Sequence, residues 1–187
     1  VQADHVGRQA LGRQFGASFE QAAHRLTTLQ KPGHARVPFF FLRVDQAGNV
    51  SKRLDGAGFP FARHGGGCPL WSVHQVFRTP RQIVAQWIEL PDGQRFFSVA
   101  RTVTQGIGGF GTPRAERAIA LVCAEEHAAR LIYARAIPGP EAATPIGISC
   151  RLCHRADCTS RAAPPIGRDM LPDDYRRTSA PFGFSDG

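Results

Sequence analysis

Three cysteines near one end of the chain carry its most specific chemistry: Cys150-x2-Cys153-x4-Cys158. Two cysteines separated by two residues can turn both thiolates onto one metal ion or cluster, because the short loop folds its side chains inward. A third cysteine extends the same loop. Three thiolates leave a closed site one ligand short, and Cys68, Cys123, His127 and His154 can supply the fourth. His154 directly follows Cys153, which makes convergence on the same metal awkward. Cys123 is expected where a strand ends and a helix begins, and a helix N-terminus favours thiolate. Zinc and an iron–sulfur cluster share this ligand set, and spacing does not choose between them. Without a metal, the triad would be oxidation-prone thiols on a tail.

A second pattern uses some of the same residues. Cys123-Ala124-Glu125 precedes Cys150-Arg151-Leu152-Cys153. Zinc nucleoside deaminases use His or Cys, x, Glu and later Pro-Cys-x-x-Cys, with the Glu moving protons and a zinc position left open for water. Here Ser149 stands where the proline would be, and Cys158 has no part in that scheme. Gly106 to Gly111 contains a formal GxGxxG, but Thr112-Pro113-Arg114 and a strand follow where phosphate cradling needs a helix N-terminus.

Residues 37–103 hold a third set. Phe39, Phe41, Trp71, His74 and Phe77 lie in an aromatic-rich stretch, and Arg43, Lys52, Arg53 and Arg101 fall at or near strand ends. An apolar floor with a basic mouth suits a ligand that has a greasy end and phosphates. The plainer alternative is core aromatics and surface arginines.

The elements that must position these groups are legible in part. Ser18, with Gln21 three residues on, is a capping box that opens a helix over 19–30, and an apolar stripe of Ala22, Ala23, Leu26 and Leu29 follows. A further helix is expected over 2–15, so Leu11–Leu29 has the look of a helix-turn-helix. Val37–Val44 and Val50–Leu54 read as one hairpin, and Gln82–Leu90 with Gln94–Val103 as another across Pro91-Asp92-Gly93. Trp71–Phe77 reads as a short helix, Arg117–Cys123 as a strand and Ala124–Ala136 as a helix. From Pro138 onward, Pro, Gly, Arg and Cys replace any periodicity. The expected fold is α+β: an antiparallel sheet of about five strands with few helices, similar to PAS or GAF sensors, plus an irregular Cys-rich C-terminal appendage.

Composition bounds the rest. The 187 residues suit one domain with an appendage, and 42% hydrophobic with 20% charged residues is a globular balance. No apolar run is long enough to span a bilayer. Five cysteines, an odd number, and no apolar leader in residues 1–15 argue for reduced thiols in the cytoplasm. The chain starts at Val1 rather than Met, as a piece of something longer would. Net charge is +8, and residues 36–101 carry nine basic and four acidic groups, an excess that suits an anionic partner.

Several ordered phrases together carry a family resemblance. They are Arg43-Val44-Asp45-Gln46-Ala47-Gly48-Asn49-Val50-Ser51-Lys52-Arg53, then Gly66-Gly67-Cys68-Pro69-Leu70-Trp71, then Pro91-Asp92-Gly93 with Ala100-Arg101-Thr102. Cys123 before a helix and Cys150-Arg151-Leu152-Cys153-x4-Cys158 with Arg161-Ala162-Ala163-Pro164-Pro165 complete the set. From about residue 18 to its end, the chain resembles the C-terminal part of the short-chain fatty acyl-coenzyme A regulators, bacterial transcription factors of the propionate- and acetate-regulator type.

The resemblance implies a sensor for short-chain acyl-CoA that can also hold a [4Fe–4S] cluster, with zinc as the alternative metal. It implies Cys150, Cys153 and Cys158 as ligands with Cys123 as the fourth, Cys68 remaining a rival. On residue chemistry, Lys52, Arg53, Arg43 and Arg101 would meet the CoA phosphates, and Phe39, Phe41, Trp71 and Phe77, with His74 beside them, would line an acyl or adenine slot. Residues 1–33 would be the helical tail of a metallopeptidase-like region that keeps no His-Glu-x-x-His. Residues 34–140 would be the sensing domain and 141–187 the cluster-binding appendage. DNA would be contacted by an Xre-type helix-turn-helix absent from this chain. No catalytic residue is needed, and a homo-oligomer without membrane contact is expected. Two other classes stay open: the zinc deaminase, which requires Glu125, and a zinc-stapled nucleic-acid module.

Overall fold

The structure is a computed structural model and describes residues 16–28, 36–61, 67–106, 111, 114–172, 175 and 179–185. The helix expected over 2–15, the first half of the helix-turn-helix and most of the GxGxxG phrase lie outside those residues. Helix α1 is Phe19–Thr28. Its capping box forms as read: the Gln21 amide donates to Ser18 Oγ at 3.1 Å, and the Ser18 amide donates to Gln21 Oε1 at 2.8 Å.

Strands β1 (Phe40–Val44) and β2 (Val50–Leu54) form the first hairpin. The Asp45 carboxylate, bonded by both the amide and the side chain of Asn49, and Gly48 at φ 83° shape the turn. A short helix α2 (Ser72–Gln75) runs into a 3-10 turn (Val76–Arg78). The second hairpin is β3 (Val84–Glu89) with β4 (Arg95–Gln105), and β5 (Ala115–Ala124) lies antiparallel between β1 and β4. Helix α3 (Glu125–Ala128), a 3-10 segment (Ile132–Ala136) and β6 (Thr144–Pro145) follow. A 3-10 turn (Cys150–Leu152) and the two-stranded clasp β7 (Met170–Leu171) and β8 (Gly183–Phe184) complete the described chain.

The main sheet has six strands in the order β2-β1-β5-β4-β3-β6. The mixed α+β class and mainly antiparallel sheet agree with expectation. Two details differ. The sixth strand is a two-residue parallel addition to β3 from the segment expected to be irregular. The helix expected over 124–136 stops after one turn, because Leu131 is extended (φ −102°, ψ 130°) and carries the chain back onto the sheet.

The sheet separates two packed faces. On one, which we call the aromatic face, Phe40, Leu42, Ile88, Phe96 and Val122 meet Phe59, Trp71, Val73, Cys68 and Ile146. On the other, the helical face, Phe39, Phe41, Trp87, Phe97, Leu121 and Cys123 meet Ala23 of α1 and Ala128 of α3. Glu20 clamps α1 to the helical face, accepting from Arg43 Nη1 at 2.5 Å and Gln105 Nε2 at 2.6 Å. No helix among the described residues is long and apolar enough to cross a membrane.

Candidate functional site

Four cysteines from two distant parts of the chain line one pocket on the aromatic side of the sheet. Cys68 comes from the loop before α2; Cys150, Cys153 and Cys158 come from the C-terminal segment. Leu70, Pro145, Gly147, Ser149, Arg155 and Arg161 complete its wall.

Local structure fixes each thiol. The Trp71 amide donates to the Cys68 carbonyl at 3.0 Å, closing a turn. The Trp71 indole is fully buried and donates from Nε1 to Ser98 Oγ at 2.8 Å, so the turn is pinned to β4. On the other side, the Leu152 amide bonds the Ser149 carbonyl and the Cys153 amide the Cys150 carbonyl, a single 3-10 turn that sets Cys150 and Cys153 at the pocket. The Ile146 amide donates to the Glu89 carbonyl at 2.9 Å and ties this segment to β3. Gly147 packs so closely that a Cβ there would lie 2.8 Å from the Cys153 Cβ and 2.9 Å from its Sγ.

The Cys68 thiol is held above its ordinary range overall. Burial pushes the Cys68 thiol up, and the charges of Cys150 and Cys158 push it the same way. The amides of Gly147 and Leu70 bond its sulfur and pull it down. The Ala162 amide donates to Cys150 Sγ at 3.4 Å. Two arginines stand in the wall. Arg161 is buried, donates to the carbonyls of Cys153 and Arg155, and stacks 4.5 Å from the Phe184 ring. Arg155 donates to the Glu89 carbonyl. The Nε of each is buried with no hydrogen-bond partner among the described residues. Four sulfurs, amide donors to sulfur and two guanidinium groups fit a thiolate-bound metal group, whose negative charge they would offset. Among the described residues, no three His, Cys, Asp or Glu groups close around a single metal ion.

The expected fourth ligand is elsewhere. Cys123 pairs in register with Phe97 on β5 and packs in the helical-face core, whereas Cys68 belongs to the aromatic-face core. The sheet lies between Cys123 and the pocket. The same separation breaks up the deaminase pattern, which would need Cys123 and Glu125 beside Cys150 and Cys153; Glu125 is exposed at the start of α3. His154 is exposed, and His127 pairs with Glu126 at 3.3 Å.

The nine residues expected to meet an acyl-CoA divide between the two faces. Phe39 and Phe41 are helical-face core, and Arg43 is bonded to Glu20 and Ser51 on that side. Lys52 sits opposite Arg43 in register, and Arg101 places its guanidinium 5.2 Å from the Phe19 ring of α1. Trp71 and Phe77 pack on the aromatic face, and Arg53 is exposed on the edge strand β2. His74 lies against Gly48 and Gly67, and its burial holds the imidazole pKa below the ordinary range. The helical face holds two further buried donors without a partner among the described residues, Arg101 Nε and Trp87 Nε1. The sequence reading passed over Gly147 and Arg155, which carry no motif of their own.

Comparison with known proteins places this arrangement in a family. Residues 28–182 match the family model described as short-chain fatty acyl coenzyme A regulator, C-terminal, and the chain belongs to that family. It is 47% identical over 172 residues to the propionyl-CoA carboxylase regulator of Cereibacter sphaeroides, covering 92% of this chain and 37% of that protein. It is 45% identical over 172 residues to the HTH-type transcriptional regulator RamB of Mycobacterium tuberculosis, covering 90% of this chain and 36% of RamB. A solved structure of a Mycobacterium tuberculosis transcriptional regulator superposes with a TM-score of 0.85 at 41% identity, covering 94% of this chain and 54% of that one. The chain thus spans little more than a third of the length of these two curated relatives.

Proposed function

We propose that this chain is the effector-sensing part of a bacterial transcriptional regulator, binding short-chain acyl-CoA on the helical face and a [4Fe–4S] cluster on Cys68, Cys150, Cys153 and Cys158. The observation that carries the cluster reading is the convergence of Cys68 with the C-terminal triad in one arginine-walled pocket. A tetrahedral zinc with Zn–S bonds of about 2.3 Å needs its sulfurs about 3.8 Å apart, whereas a cluster spreads four thiolates around a cube of iron and sulfide. The pocket gathers four thiols from two chain segments, the ligand number of a [4Fe–4S] cluster and of a closed zinc site alike. When bound, the cluster supplies a redox-active centre and a cross-link between distant chain segments.

The chain's own residues do the rest. Amides of Gly147, Leu70 and Ala162 donate to the Cys68 and Cys150 sulfurs, and the buried Arg161 in the wall would offset the charge of a bound group. For the acyl-CoA, support comes from the family description and from the partnerless Arg101 and Trp87 donors beneath the helices. Arg101 and Lys52 are the phosphate contacts on this reading, since Glu20 already balances Arg43. A PAS- or GAF-like role fits two hairpins joined through β5, with a ligand between sheet and helices. The ligand's differential affinity for two conformations would shift DNA binding by the part of the regulator outside this chain, with the regulator as a homo-oligomer.

The test is anaerobic reconstitution of Cys68→Ser and Cys123→Ser, followed by calorimetry with propionyl-CoA. Cys68→Ser should lose iron and acid-labile sulfide, and Cys123→Ser should keep both. Arg101→Ala should weaken propionyl-CoA binding without unfolding the chain. Full iron in Cys68→Ser would remove Cys68 from the ligand set, and no heat of binding in the unsubstituted protein would remove the acyl-CoA.

A further inference from the structure

Resting on the cysteine-pocket reading, we propose that Gln86 is the positioning residue that sets the distance between the two chain segments supplying the ligands. Gln86 lies in the middle of β3, between Ala85 and Trp87, which both pack on the helical face; strand alternation therefore turns Gln86 to the aromatic face. Its neighbours along that face are Val84 and Ile88, so it is a polar side chain set in an apolar row.

Every hydrogen-bonding direction of its amide but one is used, and all the bonds go to the two segments that meet at the pocket. Gln86 Oε1 accepts from the Ser72 amide at 2.7 Å. Gln86 Nε2 donates to the Leu70 carbonyl at 3.0 Å and to Thr144 Oγ1 at 3.1 Å. Leu70 lines the pocket, lies two residues from Cys68 and gives its own amide to the Cys68 sulfur. Thr144 opens β6 and is followed by Pro145 and Gly147, both in the pocket wall. One planar amide thus holds the Cys68 loop on one side and the start of the triad segment on the other. The parallel pairing of β6 with β3 is only two residues long, so the Gln86–Thr144 bond is a large share of what fixes that segment.

A leucine at this position would suit the strand and its apolar row but would leave the Ser72 amide and the Leu70 carbonyl without this partner, so a loss of stability accompanies any effect on the pocket. Outer partners that orient metal ligands typically change metal affinity by about 10- to 100-fold when removed. Gln86 bonds no cysteine directly, so Gln86→Leu should load iron and sulfide more weakly by up to that factor in chelator competition. It should also change the electron paramagnetic spectrum of the reduced cluster. Gln105→Leu is the control: it removes a comparable amide bond, to Glu20 on the helical face, and should lower stability while leaving the spectrum as it was. If Gln86→Leu does not fold, Gln86→Glu decides the matter. It keeps the acceptor for Ser72 and can accept from Thr144 Oγ1, but leaves the Leu70 carbonyl without its donor. Loading at the unsubstituted level with an unchanged spectrum, in whichever variant folds, would overturn the proposal. Failure of the unsubstituted protein to load a cluster, or full loading of Cys68→Ser, would overturn the pocket reading itself and Gln86's role with it.

Discussion

Gly147 offers the sharpest physical test of the pocket. Its amide bonds the Cys68 sulfur while its Cα packs on Cys153, so one residue touches thiols from both segments. Its backbone does not need glycine's left-handed conformation, so the cost of Gly147→Ala is steric alone. The new methyl would lie 2.8 Å from one carbon and 2.9 Å from sulfur, where ordinary carbon contacts are about 3.5–4.0 Å. Something must move by roughly 1 Å. Cys153 has little room to give: it is buried, its amide bonds Cys150 and its carbonyl accepts from Arg161. Overpacking of this kind costs about 1–3 kcal/mol. For a chain of this length, that lowers the melting temperature by about 2–4 °C for each kcal/mol. Gly183→Ala is the contrasting variant, since a Cβ there meets its nearest neighbours at 3.7 and 4.0 Å, ordinary contact. It should stay within about 0.5 kcal/mol. Thermal melts of the metal-free proteins measure the first effect, and iron content after reconstitution measures the displacement of the Cys153 thiolate. A Gly147→Ala protein that melts and loads like the unsubstituted one would refute the close approach, and with it the pocket's shape.

Two further outcomes follow from buried polar groups. His74 has its pKa lowered by burial, so the folded chain holds fewer protons there than the unfolded chain, whose value is near 6.5. Its contribution to stability is therefore fully present above that value and is lost as pH falls through it toward the lower folded value. Urea midpoints should drop as pH falls below the unfolded value, less steeply in His74→Gln. Trp71→Phe removes the indole donor from Ser98 Oγ, which is fully buried. The expected loss is about 1–3 kcal/mol, and adding Ser98→Ala should restore part of it in denaturant melts.

Much of this was legible wherever a local signal decides structure. The capping box at Ser18, the two hairpins and the Cys150-Cys153-Cys158 loop stand where their residues put them. The sixth strand was not legible, because Thr144-Pro145 has no strand character of its own. Its pairing is imposed by Gln86 and by the Ile146–Glu89 bond, both contacts to a distant strand. The break at Leu131 is of the same kind: Ala128, Leu131 and Ala134 have helical spacing, and packing on the sheet overrides it.

Which side of the sheet Cys123 takes turned on one residue of strand parity. A strand with one wet face alternates, and its pattern tells which side each residue takes. Strand β5 has no wet face over Ala118–Cys123, where every residue is buried. Nothing in Ala118-Ile119-Ala120-Leu121-Val122-Cys123 distinguishes the side of Val122 from that of Cys123, and shifting by one residue exchanges them. The central strand that makes the fold stable is thus the strand whose facing the sequence hides. Cys68 carries the opposite kind of information. The turn that carries it ends on a fully buried tryptophan and lies against a strand that also binds the triad segment. A thiol placed by a turn between two such anchors meets a distant segment of the chain, whereas a thiol in a doubly covered strand can serve only the face it was folded into.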